Sequence, residues 1–320
     1  QTYFGLDLTY SGKWFEDDDH WDQSFLANAL VNHSFTERIN LEVRDRFTYT
    51  DQPQLVDTTL ARTDQSRITN LGDAQLSFGL SPRLGLVLAY QNLLVDYENE
   101  NPTADSVPPG TIGNPGSASL SARLDRIEQT IPLNLRHQTG PSTVTLIGYN
   151  YGMTDYTSDE FLYANPPALA PQPGPKAESR NYRSHYGYLG VEHNFTPLLS
   201  LGVRGGVQYS DFYNSATEDT STTPFGDLSL SYFYATGSQA ELGYTLSQAA
   251  TDVLAPDGTG SPTQNRLVSS LYARVDHQFL PHLHGGLYGQ WQLSEYNGGS
   301  FDGSNEDLYL FGASLRYDIN

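Results

Sequence analysis

Period-two alternation of apolar and polar residues dominates this chain. In the last segment Tyr309, Phe311, Ala313, Leu315, Tyr317 and Ile319 share one face, and Leu310, Gly312, Ser314, Arg316 and Asp318 the other. Segment 282–296 sets Leu283, Leu287, Trp291 and Leu293 against His284, Gly286, Tyr288, Gln290 and Gln292. Segment 38–49 sets Ile39, Leu41, Val43, Phe47 and Tyr49 against Asn40, Glu42, Arg44, Arg46 and Thr48. Segment 199–210 separates Leu199, Leu201, Val203, Val207 and Tyr209 from Ser200, Arg204, Gln208 and Ser210. Successive strand side chains point to opposite faces, so this is the pattern of strands with one apolar and one hydrated face. No convincing helical stripe interrupts it.

About fourteen such segments occur, each of ~10–14 residues, twice the usual globular strand. They lie near 2–13, 24–35, 38–50, 71–80, 83–96, 123–138, 142–155, 182–195, 198–212, 225–235, 239–250, 266–279, 282–295 and 307–319. Segment 142–155 fits least well, because Val144 and Leu146 oppose Ile147, Tyr149 and Tyr151, and a bulge or register shift is expected there.

Connections alternate between short and long. Short turns are predicted at Thr36-Glu37, Ser81-Pro82, Thr139-Gly140-Pro141, Thr196-Pro197, Gly237-Ser238 and Leu280-Pro281. Long polar connections lie near 14–23, 51–70, 97–122, 156–181, 213–224, 251–265 and 296–306. The expected fold is therefore all-β: one domain spanning residues 1–320, a closed antiparallel transmembrane β-barrel of about fourteen strands, with short periplasmic turns and long extracellular loops.

Composition narrows the reading further. The 320 residues carry 17 Lys+Arg against 37 Asp+Glu, a formal charge of −20, and no cysteine. That excludes disulfide scaffolds and thiolate chemistry, and it argues against nucleic acid as a partner. Mean hydropathy is −0.47, too low for a spanning helix. Only 38 % of residues are hydrophobic, yet 12 % are aromatic, which suits a wall that faces lipid outside and water inside. Gln1 follows no basic and apolar leader, so the expected form is one whose export signal has been removed.

His33-Ser34-Phe35-Thr36, His193-Asn194-Phe195-Thr196-Pro197 and His277-Gln278-Phe279-Leu280-Pro281 each end a strand at a short turn. Arg136-His137-Gln138-Thr139-Gly140-Pro141 is a weaker copy. These repeats mark one hairpin per unit. The chain resembles bacterial outer-membrane β-barrels, in particular β-barrel porin families whose strands end in an aromatic-Thr-Pro turn followed by Leu-x-Leu. Phe195-Thr196-Pro197-Leu198-Leu199-Ser200-Leu201 is the best instance. The resemblance implies the bacterial outer membrane as location and transport as the role.

Two sets of side chains follow from the alternation. The expected lumen set is Glu42, Arg44, Arg46, Asp73, Arg126, Glu128, Arg136, Glu192, Arg204, Asp227, Glu241, Arg266, Arg274, Asp276 and Arg316, with Asp7 on the same face. Both signs occur along single strands, which suits a transverse field across a wet bore. The expected interfacial girdle is His33, Phe35, His137, His193, Phe195, His277, Phe279, Trp291, Tyr309, Phe311 and Tyr317. Inward Tyr186, Tyr188, Tyr272 and Tyr288 are candidates to stack on sugar rings, although abundant tyrosine explains them as well.

About 20 of the acids fall in the long connections, densest at Glu16-Asp17-Asp18-Asp19. The expected partners are outer-membrane lipids, small polar solutes, divalent cations at the acidic loops and a further copy of the chain. Neither a cofactor nor a metal is expected. No hydrolase elbow, zinc-protease helix or phosphate loop appears, so the expected role is not enzymatic. The first reading is a porin-like channel for passive diffusion of small polar solutes. The alternative is a closed or plugged surface barrel whose acidic loops make contacts. A connection near 97–122 or 156–181 that folds inward would set the constriction.

Overall fold

The computed structural model describes residues 1–15, 20–51, 54–56, 59–63, 66–98, 119–162, 174–215, 220–251, 253–254, 256–257 and 261–318. The acidic patch at 16–19 and the Pro/Gly stretches at 108–110 and 166–173 lie outside them. Fourteen strands form one sheet in chain order: β1 (Thr2–Phe15), β2 (His20–Thr36), β3 (Ile39–Thr50), β6 (Arg67–Ser81), β7 (Leu84–Tyr97), β8 (Arg126–Gly140), β9 (Thr143–Tyr156), β10 (Tyr182–Thr196), β11 (Leu199–Asp211), β12 (Thr220–Ala235), β13 (Ser238–Ala249), β14 (Thr263–Leu280), β15 (Leu283–Gly298) and β16 (Asn305–Tyr317). A separate hairpin, β4 (Gln54–Val56) with β5 (Thr59–Thr63), sits in the β3–β6 connection. Every pair is antiparallel to its chain neighbour, as hairpin connections require.

The repeated aromatic-Thr motif has a structural cause. Each of the six short turns is preceded by a register shift, at Ser34/Thr36, Gly79/Ser81, Gln138/Gly140, Asn194/Thr196, Phe233/Ala235 and Gln278/Leu280. The residues passed over are Phe35, Leu80, Thr139, Phe195, Tyr234 and Phe279. A bulge kinks the strand into its turn. The hydroxyl that follows then holds the turn: Thr36 Oγ1 accepts from the Arg38 and Ile39 N–H groups at 3.2 and 3.1 Å. Thr196 does the same for Leu198 and Leu199, and Ser81 for Arg83. At Thr236-Gly237 the turn uses Gly237 at φ 67° instead, a backbone angle that suits glycine.

The strands are staggered as a barrel needs. The rung that starts at Ile39, the first residue of β3, runs through Phe78, Leu86, Leu135, Ile147, Leu189, Gly205, Gly226, Leu246, Ser269 and Leu293 to Asp307. Asp307 is near the long-loop end of β16. With the short turns level, that climb corresponds to a strand tilt of about 33°, close to the tilt at which sheets close into barrels. β1 and β16 end the strand order, each with a single ladder partner among the described residues, and are more exposed than the interior strands.

The sheet's outer face is apolar and open: Leu189 is 64 %, Leu287 65 % and Phe311 83 % exposed. Such a surface is stable only against hydrocarbon, and the strands between β1 and β16 are laddered on both sides, which pairs their backbone groups within the sheet. Among the described residues no helix is long and apolar enough to cross a membrane. The architecture is that of an outer-membrane β-barrel.

One expectation is met at the edge of its segment and another needs correction. The register shift expected in 142–155 falls at its start, where β8 passes over Thr139 between Gly140↔Thr143 and Gln138↔Val144, while the ladder to β10 runs unshifted from Tyr182↔Thr154 to His193↔Thr143, so no bulge turns Leu146 outward. Leu146 instead points inward, almost fully buried, into space left by Gly190, where a Cβ would stand 2.8 Å from Leu146 Cδ1. The strand expected from residue 123 begins at Arg126, because Ser119 caps a helical turn, α1 (Leu120–Leu124), accepting from the Ala122 N–H at 3.0 Å.

Candidate functional site

The ladders place every residue of the expected lumen set on one face of the sheet. Arg44 lies opposite Asp73, Arg204 opposite Asp227, and Glu241 opposite Arg274. Pairs two apart in one strand share a face, and three such pairs are ion-paired: Glu42 with Arg44, Arg126 with Glu128, and Arg274 with Asp276. Arg274 Nε and Nη2 reach the two Asp276 oxygens at 2.7 and 3.2 Å. The first and third are worth little in water, since Arg44 and Arg274 are half exposed or more, whereas Arg126 is largely buried. Their effect is to set local field direction.

A larger network crosses four strands. Arg136 on β8 pairs with Glu192 on β10, reaching across β9, and Arg204 on β11 approaches the other Glu192 oxygen at 3.8 Å. Leu146 occupies the Arg136 rung between them, which accounts for an apolar residue on a wet face. Arg46 donates to Asn28 Oδ1 at 3.1 Å, Arg266 to Ser294 Oγ at 3.1 Å, and Arg316 pairs with Asp318 at 3.3 Å. Near the short turns a cavity of about 670 Å³ opens among Gln239, Arg274, Asp276, His284, Ser314 and Arg316.

The inward tyrosines lie along the wall. Tyr188 donates to Asn134 Oδ1 at 2.6 Å and passes over Gly148, where a Cβ would stand 2.1 Å from Tyr188 Cζ. Tyr272 donates to Glu241 Oε1 at 3.1 Å and covers Gly243 in the same manner. Tyr186 meets the Phe225 ring edge-on at 5.9 Å. Tyr188 and Tyr272 thus lie flat over glycines of the adjacent strands.

The girdle histidines and their phenylalanines face outward at the short-turn end. His33–Phe35, His193–Phe195 and His277–Phe279 repeat one edge-on contact at 4.5, 4.6 and 4.7 Å. In each, Nδ1 meets a hydroxyl of another strand: Thr2 at 2.7 Å and Thr143 at 2.8 Å on the adjacent strand, and Tyr234 at 3.0 Å on β12, across β13. His137 meets Thr139 at 3.4 Å. Trp291 and Tyr309 oppose one another higher on the outer face, with Trp291 Nε1 donating to Asp307 at 2.7 Å. Phe311 and Tyr317 continue that face on β16.

At the long-loop end the inner face is covered. Thr154, Ser184, Gln208 and Ser210 are inward-facing and at most 4 % exposed. The cover is built by α1, by residues 157–162 and 174–181, and by Thr251, Val253 and Leu254 after β13. Ala122, Tyr156, Leu162, Ala177 and Leu254 form its small apolar core. Arg180, in a 3-10 turn (Ala177–Arg180), is fully buried at its centre. Its guanidinium donates to Arg123 O at 2.9 Å, to Thr251 O, and to Gln264 O at 3.5 Å. Those carbonyls precede β8 and flank the β13–β14 connection, six strands apart in a wall of fourteen, so the cover bridges the mouth. Asp125 ends α1, accepting from Ser121 Oγ and from the Tyr97 N–H at 2.7 Å. Burial pushes its carboxyl up to about 6 against the pull of those hydrogen bonds, with Asp96 and Glu160 adding to the rise.

Arg180 shares its connection with Lys176 and with Asp159, Glu160 and Glu178, and nothing in its local pattern marks it in the sequence. Among the described residues no group of three or more His, Asp or Glu could hold a metal ion.

No family model and no curated protein matches the chain. Similar solved structures include the copper transporter OprC (TM-score 0.46, 10 % identity, covering 98 % of this chain and 55 % of that one). The CymD monoaromatic hydrocarbon channel gives 0.42 and 12 %, covering 100 % and 88 %. BauA, the ferric preacinetobactin receptor from Acinetobacter baumannii, gives 0.43 and 14 %, covering 91 % and 53 %. The chain spans about half the length of OprC and BauA.

Proposed function

We propose that the protein is an outer-membrane channel for passive diffusion of small polar solutes, narrowed at its outer mouth by the loop cover. The reading rests on the inner face. Charged side chains of both signs line it, paired mainly within their own strands, and Tyr188 and Tyr272 lie flat against the wall. A barrel of this strand number falls between those filled by side chains and those with open aqueous channels. The outer loops therefore govern passage.

Planar-bilayer recording of the purified protein tests this. Discrete conductance steps support the channel, and silence in both wild type and Arg180→Ala overturns it. A closed surface barrel is the second reading, favoured by the complete burial of Arg180 over the mouth. It would show steps in neither protein, and steps in Arg180→Ala alone would mean a channel held shut at rest.

A further inference from the structure

On β3 the outward face reads Ile39, Leu41, Val43, Asp45, Phe47, Tyr49, which puts a carboxylate where every other position is apolar. The opposite face of the strand holds Arg44 and Arg46, so Asp45 points away from the bore. Six residues beyond the short turn, it stands about 17 Å up a tilted strand, near the middle of an apolar band roughly 25 Å tall. Among the described residues no other outward carboxylate has apolar neighbours both above and below it on its own strand. Asp45 is exposed.

Its surroundings are polar and small. Asn70 of β6 gives its side-chain N–H group to both Asp45 oxygens, at 2.7 and 3.2 Å. Asp45, Gly72 and Asn92 share one rung, with Ala29 on the other side of Asp45. Ala74 lies beside Val43. A Cβ at Gly72 would meet nothing within 4 Å. A charge turned to hydrocarbon is costly, and outward polar groups in membranes are covered by protein. Small residues at such a place let two walls approach closely.

We propose that the outer face of β3, β6 and β7 around Asp45, Asn70 and Asn92 is the interface with a second copy of this chain. The occupant follows from hydrogen-bond complementarity. The patch holds an anionic acceptor at one end of a rung and carboxamide donors at the other, so a twofold axis through Gly72 sets Asp45 of one copy against Asn92 of the second. A lipid headgroup does not reach this depth. The proposal rests on the outer face being lipid-facing.

Single-cysteine variants test both levels, since the chain has no cysteine. Gly72→Cys should give a disulfide-linked band of twice the mass on mild oxidation in membranes. Gly205→Cys, outward on β11 and equally open, should stay monomeric. Adding Asp45→Leu and Asn92→Leu to Gly72→Cys should reduce the linked band at least tenfold while the folded, heat-modifiable mobility persists. A monomeric Gly72→Cys, equal linking at both sites, or a product of another mass overturns the dimer. Ready labelling of Gly205→Cys by a membrane-impermeant, water-soluble maleimide would instead overturn the lipid-facing assignment itself.

Discussion

The Arg180 guanidinium carbon lies 4.5 Å from the centre of the Tyr156 ring, and the same side chain donates to carbonyls from two other connections. One residue thus ties α1, the last rung of β9 and the approach to β14. A buried cation held by a ring face and carbonyl oxygens is stable only while all of them are in place.

Arg180→Ala should therefore loosen the cover without dismantling the wall. We expect a local loss of about 2–4 kcal/mol, read as faster amide exchange at Tyr97, Tyr156 and Thr251, with the strand ladders unchanged. Single-channel conductance should rise. An unchanged conductance with faster exchange would place the cover off the solute path.

Acidity should tighten the cover. Asp125 has its pKa pushed to about 6 where an exposed aspartate has 3.8, so the covered state binds the proton more tightly than the open one. The cost of its burial is fully present above pH 6 and disappears as pH falls toward 4. Conductance should thus decrease between pH 7.5 and pH 5, and Asp125→Asn should hold the low-pH value throughout. A pH response that survives Asp125→Asn would assign the titration elsewhere.

The two faces should differ in tolerance. Leu189→Arg, outward and about as far from its short turn as Asp45, should cost about 2–4 kcal/mol, whereas Leu201→Arg, opposite the girdle residue His193, should cost less. Ser231→Arg, inward and opposite Glu241, should be nearly neutral. Urea unfolding from lipid vesicles compares them, and equal costs for Leu189→Arg and Ser231→Arg would reverse the face assignment. Gln208, although inward, is unsuitable as the mild control suggested by alternation alone: the loop cover leaves it 0 % exposed, so an arginine there would be buried.

Gly148 keeps Tyr188 flat. Gly148→Ala should swing the ring into the bore and lower conductance, at about 1–3 kcal/mol of stability. Tyr188→Ala in the same protein should restore conductance. Failure of that rescue would show that the ring does not border the path.

Reversing two charges on β3 should change ion preference. Arg44→Glu with Arg46→Glu is expected to shift the reversal potential in a salt gradient toward cations. No shift would remove this part of β3 from the conduction path.

The fold was readable because each strand obeys a local rule. Alternation located all fourteen strands, and the His-x-Phe repeat marked three of the six short turns, with a weaker copy at a fourth; that the strands bulge there left no mark in the pattern. At the long-loop ends β2, β6 and β12 begin four or five residues earlier than alternation indicates. The patterned face thins out there, while ladder hydrogen bonds continue. Arg180 was illegible for a different reason. Its partners Arg123, Thr251 and Gln264 lie 57 to 84 residues away and contribute carbonyls, which leave no trace in side-chain pattern. Asp45 was passed over because a strong surrounding pattern hides a single exception.

Because Glu42 with Arg44, Arg126 with Glu128, and Arg274 with Asp276 each close their ion pair within one strand, no backbone ladder depends on them. Each pair also keeps one tie outside itself: Asn32 donates to Glu42 at 3.1 Å, Arg126 to Leu124 O at 2.8 Å and Gln239 to Asp276 at 3.3 Å. Inverting a pair therefore leaves the strand register alone but asks a single neighbour to turn, so the inner wall could be rewritten two residues at a time.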